Sequence, residues 1–268
     1  MRNKAIASFL LGFMTLLLVP DRPVAGAAAL QQDSQGDARI ETSYPARVLA
    51  AKDDDNTIEG SWTITEAKTP NEDEYSGTLD IAAAGEEENL YELSWETSTG
   101  SYSGLGFLED DRLLVGYGLA QQIYGVALYR INGDGTLDGK WTFSRSNGEV
   151  GTEKAEKTTG GNSNRVEGEY RVGGNDPGST DPEDPDSSYN GSLTIRKVRD
   201  TYQVSWKVDN QIYLGVGLRT GDWLIVGWGP GDGFAVMDYK IDNNKANGRW
   251  AISGEADLGV EKLTRHGL

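Results

Sequence analysis

The chain repeats itself, and this repeat constrains its fold more than any other feature of its 268 residues. The run Ile58–Ile64 returns as Val166–Val172, and Leu114–Gly118 returns as Ile225–Gly229. Further blocks recur in the same order, about 110 residues apart throughout. A unit of about a hundred residues is therefore duplicated in tandem.

The duplication divides the chain into segments. Copy one spans 57–157 and copy two spans 165–264, with the polar linker 158–164 between them. Residues 28–56 are polar without sustained periodicity and predict a flexible leader. The connection within 173–188 of copy two is acidic and rich in proline, which predicts an extended insertion rather than packed structure.

Residues 1–27 have the layout of a secretory signal peptide. Arg2 and Lys4 precede an apolar run over residues 5–19, and Ala25-Gly26-Ala27 supplies the small residues of a cleavage site. The apolar run is shorter than the ~20 residues of a spanning helix, so we expect no membrane span. We expect an exported protein that is periplasmic, on the cell surface or secreted. Since exported chains without cysteine are more typical of bacteria, we expect a bacterial source.

Composition removes several classes of chemistry. The chain has no Cys and a single His, His266, which argues against disulfides, thiolate or multi-histidine metal sites and a Ser-His-Asp triad. The formal charge of −17 would repel nucleic acid and anionic membranes. The turn 131–138 imitates the middle of a calcium loop, but the calcium register would place Arg130 and Trp141 where carboxylates are needed. We expect no metal, no cofactor and no nucleic-acid partner.

The secondary structure follows from alternation with a period of two residues. Tyr91, Leu93 and Trp95 share one face of a strand, for example, and turn residues such as those at 132–135 separate successive blocks. The pattern predicts an all-β fold of two tandem eight-stranded antiparallel up-and-down β-barrels, each copy closing into its own barrel. A pair of β-sandwiches, or two blades of a larger array, is the alternative. The strands predicted in copy one are 58–67, 75–83, 90–97, 101–109, 112–119, 124–132, 136–144 and 149–156.

Two resemblances accompany this pattern. Gly60-Ser61-Trp62, followed by a meander of short strands, resembles the start of calycin barrels, the superfamily of lipocalins and avidins; copy two has Tyr170 in place of the Trp. Blocks such as Tyr75–Ile81 and Tyr189–Ile195 make both copies resemble, more closely, small exported bacterial repeats often named fibronectin-binding proteins. That second resemblance covers about 200 residues. It implies an exported adhesion or binding protein and no particular reaction.

Aromatic residues that recur at matched positions are the candidate ligand contacts. They fit either a filled barrel core or the lining of an internal pocket. Asp238 joins them because it replaces Leu128 of copy one among strand residues, so it should be either exposed or functional. We expect copy two alone to carry specific recognition, near Asp238 and Trp228. The candidates are Trp95, Tyr102 and Tyr117 in copy one, and Trp206, Tyr213, Trp228 and Asp238 in copy two.

A catalytic function rests on carboxylates alone. Glu153 and Glu261 are the best-matched pair, but Lys154 and Lys262 follow them directly, which favours solvated ion pairs. We therefore expect a non-catalytic binding or adhesion protein for a small apolar or aromatic molecule or an extracellular protein. The alternatives are a carboxylate-only enzyme acting on a glycan and a structural envelope protein.

Overall fold

A computed structural model describes residues 57–119, 122–158, 165–179, 187–208 and 210–265. Every secondary-structure element in these residues is a β-strand, eight in each copy. The predicted signal peptide and leader, most of the linker and the middle of the acidic connection lie outside the described residues. The strands of copy one are β1 (Gly60–Lys68), β2 (Gly77–Ala83), β3 (Leu90–Thr97), β4 (Gly100–Glu109), β5 (Arg112–Leu119), β6 (Gly125–Ile131), β7 (Leu137–Phe143) and β8 (Gly151–Lys157). Those of copy two are β9 (Gly168–Asn175), β10 (Ser188–Val198), β11 (Thr201–Val208), β12 (Gln211–Thr220), β13 (Trp223–Gly229), β14 (Phe234–Asp242), β15 (Lys245–Ile252) and β16 (Gly259–Arg265).

The strands close into two antiparallel barrels of eight strands each, which confirms the predicted fold class. Barrel A has the order β1-β16-β15-β14-β5-β4-β3-β2, and barrel B has the order β10-β11-β12-β13-β6-β7-β8-β9. Consecutive strands pair as neighbours almost everywhere, as in an up-and-down barrel. Closure leaves neither barrel with an unpaired strand edge. This architecture fits a calycin-like fold.

The barrels do not coincide with the two copies, so the expectation that each copy closes on itself is wrong. Barrel A combines β1–β5 of copy one with β14–β16 of copy two, and barrel B is the continuous run β6–β13. Leu113 of β5 lies opposite Tyr239 of β14, and Leu224 of β13 lies opposite Tyr129 of β6. These are the same positions of the repeat. The last three strands of each copy have thus changed places without loss of pairing, as in a domain swap within one chain.

One end of each barrel is closed by a buried aromatic residue. Trp62 of barrel A is fully buried, and its Nε1 donates to the carbonyl of Ile58 at 3.0 Å. Tyr170 takes the same place in barrel B, where its Oη donates to the carbonyl of Val166 at 2.7 Å. The Gly-x-Trp motif and its Tyr counterpart therefore hold the residues that precede β1 and β9 across this end of the barrel, which we call the floor.

The two barrels share a third apolar core between them. Outward-facing residues of both barrels form it, among them Phe107 and Leu114 of barrel A and Leu128 of barrel B. At its centre the barrels approach at backbone distance. A Cβ on Gly116 would clash with the carbonyl of Gly125, and a Cβ on Gly227 would clash with the carbonyl of Ala235. Only glycine permits this approach, because it has no Cβ.

Candidate functional site

A buried glutamate lies on the inner wall of barrel A. Glu261 in β16 is 2% exposed, and Leu263, two residues on, belongs to the same interior core. Lys262 between them faces outward and pairs with Glu66 at 2.7 Å. This follows from the alternation of side chains along a strand. The interpretation of Glu261 as part of a solvated ion pair with its neighbouring lysine is therefore wrong.

Three aromatic side chains donate hydrogen bonds to the Glu261 carboxylate. Tyr75 Oη lies 2.7 Å from Oε2, Trp95 Nε1 lies 3.3 Å from Oε1, and Tyr239 Oη also donates to Oε1. Trp95 Nε1 lies 3.3 Å from Tyr239 Oη as well, so the donors are linked to each other. Among the described residues no cation takes part in this network, and both carboxylate oxygens accept hydrogen bonds.

Barrel B holds the same network around Glu153, which is 6% exposed. Tyr129 Oη donates to Oε1 at 2.6 Å, Tyr189 Oη donates to Oε2 at 2.9 Å, and Trp206 Nε1 donates to Oε1 at 3.2 Å. Trp206 Nε1 also lies 3.0 Å from Tyr129 Oη. The interpretation as a solvated ion pair with Lys154 is wrong here too.

Each network contains residues of both copies because the barrels exchange strands. In barrel A, Tyr75 and Trp95 come from copy one, whereas Tyr239 and Glu261 come from copy two. Barrel B has the reverse composition. With this pairing of the strands, one copy alone supplies only two of the four residues of each network.

The burial of these groups changes their titration. Removal from water raises the pKa of Glu261 and Glu153 above the ordinary value of 4.5, although the tyrosine and tryptophan hydrogen bonds act in the opposite direction. Burial, and then the negative charge of the neighbouring glutamate, raises the pKa of Tyr239 and Tyr129 well above 10. The tyrosines therefore remain protonated donors at neutral pH.

The raised glutamate pKa values predict how stability changes with pH. In the unfolded chain these carboxyl groups titrate near 4.5. The contribution of Glu153 and Glu261 to the free energy of unfolding is therefore complete below that pH, and it is lost as the pH rises through their higher pKa values in the folded protein. We expect the free energy of unfolding of the wild type, relative to that of an E153Q/E261Q variant, to decrease over this window. Urea denaturation of both proteins from pH 4 to pH 8 measures it. If the stability of the wild type relative to the variant is constant or grows with pH, the pKa values of the two glutamates are not raised.

The candidate aromatic residues of copy one lie together at the end of barrel A opposite its floor. The rings of Trp95 and Tyr117 are 5.2 Å apart, and those of Tyr102 and Tyr117 are 6.2 Å apart. Tyr75 and Trp250, with ring centroids 6.4 Å apart, extend the group. We call Tyr75, Tyr102, Tyr117 and Trp250 the aromatic end of barrel A. Its three tyrosines are partly exposed.

Barrel B has a corresponding aromatic end, with more aromatic surface. Trp228 contacts Tyr213 at 6.2 Å between ring centroids and Trp141 at 6.0 Å. Phe143 stacks on Trp141, and Tyr189 meets Trp141 edge to face, both at 6.2 Å. These five residues form the aromatic end of barrel B. Trp206 lies beneath them in the Glu153 network.

Two indole nitrogens at matched positions are buried without a hydrogen bond of normal geometry, although each lies near a tyrosine hydroxyl, that of Tyr75 in barrel A and that of Tyr189 in barrel B. They are Nε1 of Trp250 in barrel A and Nε1 of Trp141 in barrel B, and among the described residues no other buried side-chain nitrogen or oxygen is unpaired. Trp250 is 8% exposed. An unsatisfied buried N–H costs free energy, so its occurrence in both barrels calls for a functional explanation.

Asp238 belongs to neither aromatic end. It lies in β14 beside Val236, on the face of barrel A that is turned toward barrel B. Its carboxylate is fully buried and is paired with Arg112 at 2.6 Å and Arg249 at 3.1 Å. It is therefore not exposed, and its negative charge is paired with two arginines. The structure does not bring it together with Trp228, which lies in the other barrel.

Sequence reasoning missed two residues of the glutamate networks as candidates, Tyr75 and Tyr189. Each occupies a matched position in the repeat, so the signal was present. A carboxylate at matched positions on a face that otherwise carries Gly259 and Leu263 also indicated an inward orientation.

Comparisons with protein-family models, with curated proteins and with solved structures find no match. The described residues contain no helix long and apolar enough to cross a bilayer, and no cluster of three acidic or histidine side chains suited to a metal ion.

Proposed function

We propose that the protein is a non-catalytic binding protein that holds a small apolar or aromatic molecule at the aromatic end of each barrel. One observation carries this proposal: in both barrels, partly exposed rings surround a buried indole N–H that makes no hydrogen bond of normal geometry. Binding sites in small barrels are typically apolar and aromatic, with a few polar groups that fix the ligand's orientation. The bound molecule should offer a flat apolar face and one hydrogen-bond acceptor for the indole.

The buried carboxylates support a non-catalytic function. Three carboxylates are buried among the described residues, namely Glu153, Asp238 and Glu261, and each lies in a different place. Glycoside hydrolysis needs two carboxyl groups about 5–10 Å apart on either side of one bond. Each glutamate instead has its own barrel and accepts three hydrogen bonds from the protein. Their role in this proposal is to fix the aromatic side chains beneath the ligand.

The two barrels should differ in affinity. Barrel B presents Trp228 and Phe143 where barrel A has Tyr117 and Ile252, so barrel B offers the larger aromatic surface. We place the tighter site there, with Trp228 as its principal contact and without Asp238. The predicted signal peptide and the resemblance to exported bacterial binding repeats support an exported location for this function.

A fluorescence titration tests the proposal with the uncharged probe 6-propionyl-2-(dimethylamino)naphthalene, which combines a flat naphthalene with a ketone acceptor. We expect saturable enhancement of its emission by the wild type, with at least a fivefold lower affinity for Trp228→Ala. The matched control is Trp223→Ala, since Trp223 lies outside the aromatic end and packs against Arg130 at 5.1 Å. That variant should bind within twofold of the wild type. Absence of saturable binding, or an equal loss in both variants, would contradict the proposal.

A further inference from the structure

A cleft of about 410 Å³ opens between the two barrels, and none of its lining residues belongs to either aromatic end. Three cationic side chains line it: Lys197 and Arg219 from barrel B and Arg249 from barrel A. Within the part of the chain that the structure describes, Asp200 is the one acidic residue in its lining. This concentration of positive charge contrasts with a chain whose formal charge is −17. The volume is in the range of small-molecule sites, about 300–1,000 Å³.

Arg249 is held in place from two sides. Its Nε donates to Asp238 Oδ2 at 3.1 Å, and its Nη2 donates to the carbonyl of Arg219 at 2.6 Å. Asp238 is fully buried and also accepts from Arg112 at 2.6 Å, so two arginines share one negative charge. The guanidinium of Arg249 is thereby fixed at the cleft wall with positive charge in excess. An oxyanion would meet a cation that is already positioned.

The duplicated chain supplies an internal comparison. In the repeat, the counterparts of Lys197 and Arg219 are Ala83 and Leu108, which carry no charge. The counterpart of Arg249 is Lys140, whose charge is met by Glu109 at 2.6 Å. The cluster of cations is therefore present in the cleft and absent from the equivalent place in the repeat. The fold does not require these cations, because the equivalent place has the same strands without them.

We propose that this cleft is a binding site for a small oxyanion-bearing molecule, such as a phosphorylated sugar. Lys197 and Arg219 would contact the anionic groups from barrel B, and Arg249 would contact them from barrel A. Tyr202 lies beneath Lys197, whose Nζ is 5.9 Å from the ring centroid, and gives the cleft an apolar floor. This site is separate from the aromatic ends and does not depend on the function proposed for them.

The test is calorimetric titration of the full chain with glucose 1,6-bisphosphate at about 50 mM salt, where electrostatic binding is only partly screened. We expect saturable binding of the bisphosphate and none of glucose. Inorganic phosphate forms a second arm and should bind more weakly. The variant K197A/R219L carries the residues that the repeat already has at the equivalent positions. It should bind at least tenfold more weakly.

The matched control is K154A/K207A, which removes the same charge from exposed positions outside the cleft. It should bind within twofold of the wild type. Circular dichroism checks that each variant is folded; if K197A/R219L is not, the exposed single change Lys197→Glu takes its place with the same expectation. The proposal is overturned if the wild type shows no saturable binding, or if the control loses as much affinity as the cleft variant.

Discussion

Replacement of Glu261 by Leu is expected to lower the free energy of unfolding by about 3 kcal/mol. The change removes the acceptor of Tyr75 and Tyr239, and a buried donor left without a partner costs about 1–3 kcal/mol. Trp95 loses less, because its Nε1 keeps Tyr239 Oη as an alternative acceptor. Relief from burying a carboxyl offsets part of the loss. Urea denaturation at pH 7 measures the effect.

Two further variants make this result specific. Glu261→Gln keeps an acceptor oxygen of nearly the same shape, so we expect a loss of only about 1 kcal/mol. Glu92→Leu changes an exposed carboxylate of β3 in barrel A and should lie within about 0.5 kcal/mol of the wild type. A Glu261→Leu protein as stable as the Glu92→Leu protein would show that the network does not stabilise barrel A.

Gly227→Ala is expected to lower the free energy of unfolding by about 3 kcal/mol or more. The added Cβ would lie 1.9 Å from the carbonyl oxygen of Ala235 in β14, where the two barrels are in contact. Backbone cannot move aside as a flexible side chain can, so the strands β13 and β14 would have to separate and open the shared core. Thermal unfolding followed by circular dichroism measures the loss.

The control for this change is Gly133→Ala in the turn before β7. A Cβ there meets no atom within 4 Å. We expect its stability to lie within about 0.5 kcal/mol of the wild type. Equal stability of the two variants would mean that the barrels do not approach at backbone distance at Gly227.

Much of the fold could be predicted from the sequence because duplication and alternation are local signals. The period of two residues identified eight strands in each copy, and their number and short turns indicated barrels. The exchange of strands could not be predicted in this way. Leu113 can lie opposite Tyr239 or opposite Tyr129, and both pairings bury the same side chains. Two arrangements with the same local pairs differ only in how the connections run between barrels.

The candidate site was predicted in part for a similar reason. Trp95, Tyr102 and Tyr117 were selected because they recur, and the structure brings them together at one end of barrel A. The glutamates were assigned to the wrong face, since a charged residue next to a lysine is most often exposed. Asp238 was recognised as unusual, but its pairing with Arg112, 126 residues away on β5, depends on the contact between β5 and β14 that the exchange of strands creates.

The exchange of strands is the central claim, and engineered disulfides test it most directly because the chain has no cysteine of its own. Thr63 and Thr264 are directly opposite each other on β1 and β16, within the Cα separation that a disulfide spans. Glu156 is the counterpart of Thr264 in copy one and pairs with Arg171 in barrel B. If copy one closed on itself, Glu156 would instead be the neighbour of Thr63.

The measurement is oxidation of T63C/T264C and T63C/E156C in the folded monomer, followed by the shift in gel mobility of the denatured, unreduced chain. The exchanged barrels predict rapid and nearly complete cross-linking of T63C/T264C and almost none within the T63C/E156C monomer. The reverse pattern, with T63C/E156C cross-linked and T63C/T264C left free, would show that each copy forms its own barrel and would contradict the shared assembly of both glutamate networks.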